Sequence, residues 1–73
     1  EELEKDSESV VFVYPNPSNN TFHLSQPIGE YAVYDQMGNL LFKQDGLEID
    51  LSNYAPGIYL VVSATSQYRL VRL

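Results

Sequence analysis

LEIDLSNYAPGIYLVV, residues 47–62, contains both patterns on which the reading of the chain turns. In its first five residues Leu47, Ile49 and Leu51 alternate with Glu48 and Asp50. That is a period of two, the spacing of a strand with Leu47, Ile49 and Leu51 toward a core and the acids toward water. SNYAPG then supplies turn chemistry, with Pro56 fixing one backbone angle and Gly57 free to take another. Beyond it, Gly57–Ala64 is the most apolar run of the chain. Tyr59 follows the Pro56-Gly57 corner at the distance where a tyrosine in an antiparallel sandwich bonds back across the preceding turn. A buried ring with its hydroxyl tied to backbone is the expectation for Tyr59.

Working outward, the same texture recurs, and no segment of useful length has helical periodicity. Strands are expected at Val10–Tyr14, Thr21–Ser25, Glu30–Asp35, Leu40–Gln44, Leu47–Leu51, Gly57–Ala64 and Tyr68–Leu73. Phe22 and Leu24 share one face of the second, with Thr21 and His23 on the other. In the third, Tyr31 and Val33 lie opposite Ala32 and Tyr34. Pro15 and Pro17 end the first strand, because proline cannot donate to a ladder. Asn16, Asn19 and Asn20 suit the turn that follows. The fold class is therefore all-β: a small seven-stranded antiparallel, immunoglobulin-like sandwich, with a half-open barrel as the alternative. Residues 1–9, EELEKDSES, lack the apolar bulk to offset ordering entropy and read as an acidic flexible linker ahead of a domain spanning 10–73.

Composition narrows the function. At 73 residues the chain is one domain with little room for a deep cleft. It has no cysteine, which removes disulfides and thiolate metal sites. A net charge of −6 argues against nucleic acid, whose phosphates need clustered Lys and Arg. Five acids fall in the first eight residues, whereas the last five carry Arg69 and Arg72 and no acid. No apolar stretch is long enough to cross a bilayer as a helix, so direct membrane insertion is not expected. The chain opens on Glu and reads as a piece of a longer polypeptide.

Catalytic chemistry finds little to work with, and neither a catalytic residue nor a cofactor is expected. His23 is the single histidine, on the polar face of a short strand, with no serine evidently paired to it. Asp35, Asp45, Glu48 and Asp50 fit no calcium-loop spacing and read as turn starts and a solvated strand face. Tyr34, Tyr54 and Tyr68 are candidates for exposed rings. Such rings could stack on sugars, which gives the alternative of an immunoglobulin-like accessory module for carbohydrate binding or adhesion.

Four fragments, in order, resemble a known family: VYPNPSNNTFHL, YAVYDQMGNLLFK, IDLSNYAPGIYLVV and the terminal YRLVRL. Together they are similar to the C-terminal sorting domain of type IX secretion, the type A sorting domain of certain gliding and oral Gram-negative bacteria. The likeness runs from Val11 to Leu73. Pro15, Asn16 and Pro17 match the family's early Pro-X-Pro motif, Gly38 its central turn glycine, and Gly57 with Tyr59 its Gly-X-Tyr motif. Tyr68, Arg69, Leu70, Val71, Arg72 and Leu73 match its terminal strand. Asn19 and Asn20 stand where the family usually has glycine, and Arg69 and Arg72 replace its frequent lysine run.

The resemblance implies a non-catalytic address label on an N-terminal cargo domain. The cargo would cross the periplasm and then the outer membrane, to reach the cell surface or the medium. Implied partners are the outer-membrane translocon, its shuttle components, and a sortase-like protease that removes the domain. Two expectations accompany this. The segment Tyr68–Leu73 should lie at or near an open sheet edge that a partner strand could extend. Processing should fall in or before EELEKDSES, an exposed segment a protease can enter.

Overall fold

The computed structural model describes residues 10–73 and contains seven strands and no helix among them. The strands are β1 Val13–Tyr14, β2 Thr21–Leu24, β3 Tyr31–Asp35, β4 Leu40–Gln44, β5 Glu48–Asp50, β6 Gly57–Ser63 and β7 Gln67–Arg72. The acidic linker expected at residues 1–9 lies outside the described residues.

The strands form two sheets, a smaller one in the order β1-β2-β5 and a larger one in the order β4-β3-β6-β7, with every neighbouring pair antiparallel. In a constant-type immunoglobulin sandwich the fourth strand sits beside the fifth. Here β4 instead pairs with β3, because a tight turn leaves them no room to part. The Gly38 amide donates to the Asp35 carbonyl at 3.0 Å, and Gly38 takes a φ of +90° that favours glycine. The Asp35 carboxylate receives the amides of Met37 and Asn39, both at 2.9 Å.

The two inner faces share one core. Phe22, Leu24, Ile49 and Leu51 come from the smaller sheet and its continuation, while Tyr31, Val33, Tyr59, Val61 and Leu70 come from the larger. All nine are buried. Each large side chain so covered contributes about 1.5–3 kcal/mol relative to exposure. The alternation in Thr21–Leu24 and Glu48–Asp50 sets the register directly, pairing inward Phe22 with Ile49 and outward His23 with Glu48.

Three expectations need correction. The first strand is two residues long rather than five, because Pro15 follows Tyr14 and the chain before Val13 is held by Phe12 to Ser25 and by the Val10 carbonyl accepting from Gln26 Nε2 at 3.0 Å rather than by a continuing ladder. Leu47 is not a core residue: β5 begins at Glu48, and Leu47 sits at the rim just past the Gly46 turn, 45 % exposed. Tyr54 and Tyr68 are not free surface rings. Both pack against the core, Tyr54 between Phe42 at 5.8 Å and the edge of Tyr59 at 6.4 Å.

Candidate functional site

Following the ladders shows where the motif residues go. Gly57 pairs with Arg72, Tyr59 with Leu70 and with Asp35, and Ser18 with Arg72 across a parallel bridge. The Pro-X-Pro loop, the Gly38 turn, the Gly57 corner and the end of β7 therefore gather at one end of the sandwich. Tyr68 and Arg69 lie further along β7, toward the opposite end.

At the motif end the loop after β1 closes over the last strand. The Asn16 side chain behaves like a peptide group: Nδ2 donates to the Arg69 carbonyl at 2.7 Å, and Oδ1 accepts the Val71 amide at 3.0 Å. Two residues on, the Ser18 amide donates to the Val71 carbonyl at 3.0 Å, and the Leu73 amide donates to the Ser18 carbonyl at 2.8 Å. Pro15 and Pro17 flank Asn16 through cis peptide bonds. The edge of β7 from Arg69 to Leu73 is thus not open, as expected from its position, but already paired. A four-bond clasp of this kind is worth about 0.5–1.5 kcal/mol per bond.

Sequence reasoning placed Asn16 in the motif but missed its partner, and missed Ser18 altogether. Ser18 is the one buried polar residue among those described. Its hydroxyl donates to the Thr21 carbonyl at 2.6 Å, a local bond that Ser commonly makes in turns. That local signal was available, whereas the bonds of Asn16 span 53 and 55 residues of sequence and leave no local trace.

The remaining motif residues have structural duties. The Tyr59 hydroxyl donates to the Ala55 carbonyl, so the corner bond expected from sequence is present. Gly57 starts β6 at a φ of +152°. Leu70 is fully buried, Val71 half-buried on the outer face, and Leu73 exposed. Arg72 is half-buried, with Nη1 donating to the Leu73 carbonyl at 3.2 Å and Nε buried without a partner. Arg69 stands exposed on the outer face.

The titratable groups serve structure. Backbone and side-chain bonds from Asn39, and the Met37 amide, hold the Asp35 carboxyl below the usual range. The Ser52 side chain and amide do the same for Asp50. Burial pushes the Tyr31 phenol up, against a hydrogen bond from Gln44 that lowers it. Its hydroxyl donates to the Gly46 carbonyl at 2.9 Å and accepts from Gln44 at 2.8 Å. His23 lies on the outer face of the smaller sheet, its ring 5.7 Å from that of Tyr14. Among the described residues no three His, Cys, Asp or Glu side chains gather where they could hold a metal. What the arrangement offers is a shaped surface.

The family model described as "Secretion system C-terminal sorting domain" matches residues 12–72. No curated protein matches the chain.

Proposed function

The chain belongs to the family of secretion system C-terminal sorting domains, and on that premise we propose that its motif end is what the export machinery reads. A sorting domain of type IX secretion directs an attached cargo to the cell surface or beyond, and its family is one of address labels rather than enzymes. Beyond that, we propose transit through the periplasm, handling by the outer-membrane translocon and its shuttle components, and removal by a sortase-like protease cutting in or before residues 1–9. The recognised residues would be Pro15, Asn16, Pro17, Gly38, Gly57 and Tyr59 together with the strand Tyr68–Leu73.

One observation carries this reading. Motif residues up to 55 positions apart in sequence converge on one end, and the Pro-X-Pro loop bonds directly to the terminal strand. Such convergence supports recognition of a folded surface rather than of a linear tail. It also argues against strand addition at the β7 edge, since the clasp occupies that edge.

The test uses the whole chain fused to a periplasm-directed fluorescent protein in a host with type IX machinery. The parent fusion is expected outside the cell. Removing Leu70–Leu73 would abolish export but also empty the core of Leu70, so Leu73→Ser, which alters an exposed residue, is the cleaner variant. Leu73→Ser fusions that melt like the parent should accumulate in the periplasm. Export equal to the parent would refute recognition of the terminal strand.

A further inference from the structure

One broad surface has no role in the clasp or the core. On the larger sheet, strand registers set the outward side chains in rows: Lys43, Ala32 and Val62; then Leu40, Tyr34, Leu60 and Arg69; then Ile58 and Val71. An antiparallel sheet with one face in water normally alternates apolar and polar residues. β6 does not: Tyr59 and Val61 enter the core, while Ile58, Leu60 and Val62 form an apolar line on the other side. Ile58 is 39 % and Leu40 52 % exposed. A shallow groove of about 530 Å³ runs along this line, lined by Tyr34, Gln36, Ile58, Leu60 and Val62 among others. Scattered apolar residues on a surface are ordinary, but a contiguous apolar face marks an interaction site.

Charge identifies the occupant. The chain is acidic overall, at −6. Yet this face carries Lys43 on β4 and Arg69 on β7, both exposed, while Asp35, which also lines the groove, has its carboxylate engaged by the Met37 and Asn39 amides. Glu30 stands at one end, just before β3. The outer face of the smaller sheet differs in sign, with Glu48 and Asp50 beside Tyr14 and His23. Within residues 10–73, where five acids stand against three Lys and Arg, complementary potentials would steer an acidic partner to this face and away from the Glu48 and Asp50 face.

We propose that the outer face of the larger sheet, centred on Leu60 between Lys43 and Arg69, docks an apolar, carboxylate-flanked protein surface of the secretion apparatus. This rests on the sorting role proposed above and names the surface through which it acts. The clasp supports the same geometry, because with the β7 edge paired, a partner meets side chains on this face rather than a free ladder. A second copy is disfavoured: this face turned on itself would set exposed Lys43 and Arg69 against like charge rather than against carboxylates.

The test again uses the whole chain on a periplasm-directed fluorescent protein. The double reversal Lys43→Glu with Arg69→Glu changes two exposed side chains, so its circular dichroism and melting should match the parent. Its exported fraction should fall about tenfold or more, a factor worth about 1.4 kcal/mol per decade. The matched control, Glu48→Lys on the smaller sheet with Asp45→Lys in the turn before it, should export within about twofold of the parent. In parallel, a photoreactive benzoylphenylalanine at Leu60 should form an adduct with an identified component of the outer-membrane secretion apparatus, lost in the double reversal. Overturning results are undiminished export of the reversal, equal loss in both doubles, or adducts only to a second copy, to residues 1–9 or to lipid. A parent fusion that stays in the periplasm would instead remove the sorting role itself, and this surface with it.

Discussion

The two ends of the sandwich are closed by different means. At the motif end, Asn16 and Ser18 reach across the whole sequence to β7, and the Asn20 carbonyl accepts the Leu51 amide at 2.8 Å. At the opposite end the bonds are nearer neighbours: Ser63 closes the β6–β7 turn on Ser66, and Gln44 donates to Glu48, both within four residues of sequence. Other bonds there reach further but less far than the clasp: Tyr31 to Gly46 spans 15 residues, Gln26 to Val10 spans 16, and the Leu24 amide to the Leu47 carbonyl, at 2.8 Å, spans 23. Long-range closure forms only when both sheets are in place, whereas a local turn can form early and alone. The end bearing the family motifs is therefore the one closed by the bonds of longest sequence separation.

The comparison can be broken most forcefully at the core. Leu70→Ala empties a fully buried site on β7 and should cost about 2–5 kcal/mol, enough to unfold much of a domain this small. Leu47→Ala, at the exposed rim of the opposite end, should change stability by about 0.5 kcal/mol or less. Denaturant melts of the two variants measure the contrast. Comparable losses would mean that Leu47 is core after all.

A smaller effect sharpens the account of the two closures. Asn16→Ala removes two bonds to β7 and should cost about 1–2 kcal/mol, while Gln44→Ala should cost about 1 kcal/mol. Hydrogen exchange discriminates them better than stability does. The Val71 amide should exchange faster in the Asn16 variant and be unchanged in the Gln44 variant at matched stability. Equal protection in both would show that the clasp adds nothing to the edge.

The smallest effect concerns acid. Because the folded Asp35 carboxyl titrates below its ordinary value of 3.8, the unfolded chain takes up the proton first as pH falls. The stabilisation is complete above about pH 4 and is lost as pH drops through the lower, folded value. Asp35→Asn should flatten that part of the stability profile, leaving the contribution of Asp50, which has the same sign. An unchanged acid limb would place the Asp35 bonds outside the folding equilibrium.

Much of this molecule was legible from local pattern. Period-two alternation located β2, β3 and β5, turn residues at Gly38 and Pro56-Gly57 separated them from their neighbours, and the core residues Phe22, Leu24, Tyr31, Ile49, Leu51 and Tyr59 followed. The motif residues were legible too, through resemblance. Their meeting place was not. Alternation cannot distinguish an outward Leu60 that covers nothing from one that awaits a partner, and it placed Leu47 inside because it cannot tell where a sheet stops covering.

By itself, then, the sequence determined most of the strands, the greasy face of each and where the chain turns, since these depend on neighbours one to four positions away. Only the tertiary structure decided that an asparagine between two prolines would stand in for a peptide group on the last strand. The reason is physical: hydrogen bonds and burial depend on distance in space, and a separation of 53 or 55 residues carries no spatial information until two sheets have closed on one core.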